Sequence, residues 1–142
     1  MKVVKFGGSS LADGPQFEKV ISIMKADSER QVIITSAPGK RHDGDIKVTD
    51  LLIKYAELTI KHADTSEILN QIYNRYQTIG TYFGLNEDAL APIWQALSGL
   101  PNADYPDDDY LMAAFKAHGE RLNARLMATV MNHLGMKARF VD

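Results

Sequence analysis

The sequence predicts an α/β domain built on a mainly parallel sheet. Three observations carry this. Two short β-branched runs, residues 3–6 and 32–34, flank a helical stretch, which is the pattern of a βαβ unit with parallel strands. Helical spacing of apolar residues then dominates the chain from Val48 onward. A last short stretch, Ala138 to Val141, reads as a third strand.

Taken in order, Val3, Val4 and Phe6 form a buried strand that Gly7 and Gly8 interrupt as a tight loop. Phe17, Val20, Ile21 and Met24 recur at i, i+3, i+4 and i+7, and Pro15 stands where a first helical turn tolerates proline. Residues 32–34 make the second strand, ending at Thr35-Ser36-Ala37. Residues 38–47 are a polar loop with two glycines. The next helix starts near Val48 and carries Leu51, Leu52, Tyr55 and Leu58 on one face. Another runs from Ser66, a candidate cap, through Ile72, Tyr76 and Ile79 to Gly84. A shorter one holds Leu90, Ile93 and Leu97, with Pro92 near its start. After a loop rich in proline and aspartate, a helix is expected over residues 108–118. Gly119 is expected to separate it from a further helix over residues 120–134, capped by Gly135. Three strands are few for so many helices, and the chain stops just after a strand, so it reads as part of a longer α/β domain.

Composition narrows the function. The 142 residues are 45% hydrophobic and 24% charged, with a net charge of −2. A chain of this size buries about 68–70% of its unfolded surface, enough for a core. The balance lacks the basic excess of a nucleic-acid binder. No apolar run approaches the roughly 20 residues of a membrane span. The start, Met1-Lys2-Val3-Val4-Lys5-Phe6, is too short and too charged for a signal peptide, which favours a cytoplasmic location. With no cysteine, disulfides, thiol nucleophiles and cysteine-ligated zinc are excluded. His42, His62, His118 and His133 have no metal-ligand spacing, so no metal site is expected on the chain.

Three segments can carry chemistry. In Lys5-Phe6-Gly7-Gly8-Ser9-Ser10 a strand delivers a lysine to a glycine turn. The backbone N–H groups of such a turn form an anion site, to which the lysine adds a charge. The other reading is an ordinary strand-to-helix turn that needs glycine. It is not a Walker A loop, because the lysine precedes the glycines. In the second segment, Thr35-Ser36-Ala37 ends a strand where open sheets bind ligands, and Thr49-Asp50 opens a helix. There, Thr49 or Asp50 is either a helix cap or a ligand group. In the third, Gly119-Glu120-Arg121-Leu122, Glu120 either faces a helix dipole or binds a cationic ammonium group. Arg121 and Arg125 are expected to meet solvent or a salt bridge.

Together these segments, in this order, resemble the aspartate kinases. Lys5-Phe6-Gly7-Gly8-Ser9-Ser10 is similar to their opening signature, with Ser9 where threonine is commoner. Residues 33–37 with Thr49-Asp50-Leu51-Leu52 are similar to the second segment, and residues 119–124 to the third. The resemblance implies a partial amino-acid-kinase αβα sandwich with a helical insert. Residues 1–142 would be its N-terminal, substrate-side part, without the nucleotide half or the regulatory ACT domains. It implies transfer of the ATP γ-phosphoryl group, with Mg2+, to the β-carboxylate of L-aspartate, at the entry to lysine, threonine and methionine biosynthesis. Lys5 would be catalytic, and Lys5, Gly7, Gly8 and Ser9 would hold the phosphates. Ser36 and Thr49 would bind aspartate, and Glu120 would pair with its ammonium group. The full-length protein would be a homo-oligomer, and the isolated chain inactive. The alternatives are another amino-acid kinase, acting on glutamate, acetylglutamate, carbamate or a nucleoside monophosphate, or a non-catalytic assembly domain.

Overall fold

The computed structural model describes residues 1–142. Strand β1, Lys2–Phe6, pairs in parallel with β2, Arg30–Thr35, in a register that runs from Val3 opposite Val32 to Phe6 opposite Thr35. Helix α1, Gly14–Ala26, makes the crossover, with Pro15 in its first turn and the Asp13 carboxylate accepting from the Gln16 N–H at 3.0 Å. Phe17, Val20, Ile21 and Met24 form its buried stripe, as the spacing requires.

Four helices follow: α2, Val48–Ile60; α3, Ser66–Tyr82; α4, Glu87–Gly99; and α5, Asp108–His133. One core of 27 buried residues joins all of them. Its centre is helical. Tyr55 of α2 packs edge-on against Phe115 of α5, with ring centroids 4.9 Å apart, and donates to the Leu97 carbonyl of α4 at 2.8 Å. Burial pushes the Tyr55 hydroxyl up to about 12, so it stays a neutral donor.

Several expectations change. Residues 138–141 form no strand, and the sheet has two strands. The tail instead lies along α5, where Asn132 exchanges hydrogen bonds with Ala138, Arg125 sits over the Phe140 ring and Arg121 pairs with Asp142. Those contacts fasten the segment to α5 without a ladder. Helix α5 runs unbroken through Gly119, so the break expected there does not exist. Pro92 lies inside α4 rather than near its start, on an exposed face where the lost N–H bond is the main cost. The cap of α3 is Thr65, not Ser66, whose N–H is instead bonded by the Asp64 carboxylate at 3.0 Å. Gly135 closes α5 as expected, at φ +86°.

Candidate active site

Lys5 is the last exposed residue of β1, opposite Ile34, before the buried Phe6. Gly7 continues the chain in extended form, and Gly8–Leu11 turns as a short 3-10 helix. The sequence puts glycine here for two different reasons. A side chain at Gly7 would meet open space, which keeps that stretch of backbone accessible. Gly8 lies against a second loop, and a Cβ there would stand 3.1 Å from the Ala37 carbonyl oxygen.

That second loop, after β2, is laid backbone to backbone on the first. The Gly39 N–H donates to the Gly8 carbonyl at 2.8 Å, and a Cβ on Gly39 would fall 2.6 Å from the Gly8 carbonyl carbon. Only glycine permits that approach. The Ser36 N–H donates to the Phe6 carbonyl at 3.2 Å, extending the β1–β2 contact past the strand end. The Pro38 carbonyl accepts from the Val48 N–H at 3.0 Å, which fixes the first turn of α2 and with it Thr49. Thr49 is half-buried and Asp50 exposed. Lys47 holds the cap position with no side-chain bond, so the capping role considered for Thr49 and Asp50 does not hold.

Helix α5 brings the third segment to the same place. Gly119 is buried, and a Cβ on it would stand 2.8 Å from the Ala37 Cβ and 3.0 Å from Leu52 Cδ1. Asn123 Nδ2 donates to the Ser36 carbonyl at 2.8 Å. Glu120 lies between these two anchors, on an exposed part of the helix. It is near the middle of α5, and a helix dipole acts only within the terminal turns, so the dipole reading of Glu120 fails.

The structure therefore joins the backbones of the segments that carry Gly7, Gly8, Ser9, Ser36, Thr49 and Glu120. It does not join their side chains to one another. Lys5 and Glu120 belong to no ion pair; the pairs formed are Lys2 with Asp27 and Glu29, Arg30 with Asp27, Arg41 with Asp45, and Arg121 with Asp142, with Arg75 also near Asp45. Lys5 and the glycine turn offer a cation and backbone donors, which suit phosphate oxygens. No group of three His, Asp or Glu side chains gathers anywhere, so the residues present fit phosphate rather than a metal ion. Two clefts of about 650 Å³ lie elsewhere, one beside His62 and the loop before α5, the other between β2 and the tail.

Two buried polar residues, absent from the sequence-based candidates, hold this assembly. Arg75 of α3 is 4% exposed and donates to the carbonyls of Gly39 at 2.5 Å and Ile46 at 2.6 Å. Asp45 lies 3.8 Å away and is gripped by Arg41 through both carboxylate oxygens, at 2.7 and 3.0 Å. Those bonds hold the Asp45 carboxyl well below the usual carboxylate range. Asn123, fully buried, is the other. The available signal was a polar residue on an apolar stripe: Arg75 among Ile72, Tyr76 and Ile79, and Asn123 between Leu122 and Leu126.

The amino acid kinase family model matches residues 1–142, and the chain belongs to that family. Among its relatives are aspartokinases. The chain is 39% identical to Aspartokinase 3 of Bacillus subtilis (strain 168) over 142 residues, 100% of this chain and 31% of that protein. It is 32% identical to the bifunctional aspartokinase/homoserine dehydrogenase 2 of Escherichia coli (strain K12), covering 97% of this chain and 17% of that one. The crystal structure of Clostridium acetobutylicum aspartate kinase superposes with a TM-score of 0.82 at 34% identity, over 99% of this chain and 30% of that chain. The chain thus spans about a third or less of the length of these relatives. The α/β fold class expected from the sequence is borne out, as part of the aspartate kinase fold. No helix is long and apolar enough to cross a membrane.

Proposed function

We propose that this chain is the substrate-side part of an aspartate kinase. The observation that carries the reading is the backbone union of its three motif segments: Gly39 on Gly8, and α5 on Ser36 and Ala37 through Asn123 and Gly119. Escherichia coli aspartokinase III has been solved with aspartate and ADP, ligands of the kind proposed here.

In the proposed reaction a β-carboxylate oxygen of L-aspartate attacks the γ-phosphorus of ATP. The bond from phosphorus to the ADP oxygen breaks, ADP departs, and aspartyl phosphate forms. Such transfer depends on positioning and on stabilising charge. Lys5 offsets the charge on the moving phosphoryl group, and the turn of Gly7, Gly8 and Ser9 cradles the phosphates. Ser36 and Thr49 orient aspartate, and Glu120, with no partner inside the chain, receives its ammonium group. Mg2+ would reach the site on the ATP phosphates, since the residues of this chain do not form a metal cage. On this reading residues 1–142 form the N-terminal part of the domain of a cytoplasmic homo-oligomer. The nucleotide half and ACT domains lie outside them, and the product enters lysine, threonine and methionine biosynthesis.

The test is steady-state kinetics of the full-length enzyme carrying this sequence, read as hydroxamate formed from aspartyl phosphate. Lys5→Ala is expected to lower kcat about 100- to 1,000-fold, the effect of losing one charge-stabilising contact. Glu120→Gln is expected to raise the KM for aspartate about tenfold, as loss of a charge-assisted hydrogen bond does, with the KM for ATP unchanged. A Lys5→Ala enzyme within about threefold of wild type would refute the assignment.

A further inference from the structure

We propose that Arg75 is a positioning residue for this phosphoryl transfer, acting through Gly39; the inference rests on the function proposed above. Arg75 stands on α3, away from every motif segment in the sequence. Yet its two terminal nitrogens reach the carbonyls of Gly39 and Ile46, which lie toward opposite ends of the loop between β2 and α2. Gly39 is thereby held from both sides, by Arg75 on its carbonyl and by the Gly8 carbonyl on its N–H. Any displacement of Gly39 would reach the phosphate turn through that second bond.

The arrangement is costly for stability alone. The guanidinium is buried, its Nε has no partner, and its nearest carboxylate, Asp45, is engaged by Arg41. Replacing a buried ion cluster by apolar residues is often neutral or stabilising, so packing does not require a cation here. What only the forked guanidinium supplies is two directed donors that close the loop. The next residue, Tyr76, donates to the Gly119 carbonyl at 2.8 Å, beside Glu120. Tyr76 thus grips the Glu120 side alone, whereas Arg75 grips the loop whose Gly39 lies on the phosphate turn and whose ends carry Ser36 and Thr49.

That difference supplies the test. In the full-length enzyme, Arg75→Gln is expected to raise the KM for ATP, or lower kcat, by about ten- to a hundredfold, the scale of a small misplacement of a reacting group. The KM for aspartate should rise as well, because the clasped loop also carries Ser36 and Thr49. Arg75→Lys, keeping one cationic donor, should fall between Arg75→Gln and wild type. Tyr76→Phe should raise the KM for aspartate alone. A folded Arg75→Gln enzyme with all constants near wild type overturns the proposal, as does one in which, as in Tyr76→Phe, the KM for aspartate alone rises. Should neither Arg75 variant fold, hydrogen exchange in the wild-type enzyme decides. A Gly39 amide as slow as core amides supports the clasp, and one as fast as exposed loops overturns it. A wild-type enzyme that forms no hydroxamate defeats the proposed function, and the Gly39 amide still reports on the clasp.

Discussion

Tyr55, Tyr76 and Phe115, all on helices, are wholly buried, whereas Val3, Val32 and Ile34, all on the sheet, are 59%, 37% and 47% exposed. The sheet itself is divided. Val4, Phe6, Ile33 and Thr35 turn toward the core, while Val3, Lys5, Val32 and Ile34 share the opposite, bare face. Parallel strands are usually covered on both faces. The difference teaches that stability and presentation are lodged in separate places. The helices supply the packed core, and the two strands serve chiefly to deliver Lys5, the glycine turn and Ser36 at their carboxyl ends, the usual ligand side of an open sheet.

Truncating the helical centre should break the molecule most. Phe115→Ala removes the ring packed on Tyr55 and is expected to cost about 3–5 kcal/mol of unfolding free energy, measured by denaturant titration. A loss below about 1 kcal/mol would place the core elsewhere. Gly119→Ala probes the seam between the two regions. The added methyl gains about 1 kcal/mol of helix propensity. It also intrudes on Ala37 and Leu52, and overpacking costs about 1–3 kcal/mol. A net loss of about 1 kcal/mol is expected, and a gain would show that the contact is slack. At the bare face, Ile34→Thr should change stability by no more than about 0.5 kcal/mol, since it keeps a β-branched strand former and alters an exposed site. A larger loss in the same titration would mean that this face packs against something in solution.

The sequence reading succeeded where the signal is periodic. The βαβ unit and the apolar stripes of α1 to α4 follow from spacing alone. It failed where a neighbour decides. Gly119 looks like a breaker because glycine disfavours helices, but the sequence does not display Ala37 and Leu52 pressing on that position. Residues 138–141 have strand character, yet a strand also needs a ladder partner, and side chains of α5 take that segment instead. The motif segments were legible as motifs because their glycines and hydroxyl residues stand next to strand ends. The polar residues that fasten them, Arg75 and Asn123, lie on helices distant in sequence, and only the folded chain shows which carbonyls they meet.

The unbroken course of α5 has a mechanical consequence. From Glu120 to His133 the helix is a rod about 20 Å long, at 1.5 Å per residue. Its bearings run its whole length: Gly119 on Ala37 and Asn123 on Ser36 beside Glu120, and Leu126, Met127 and Val130 wholly buried in the core along the far arm. A rod so seated has no hinge at Gly119. A push on its far arm, or on the tail fastened to Arg121, Arg125 and Asn132, therefore reaches Glu120 as a displacement of the whole helix.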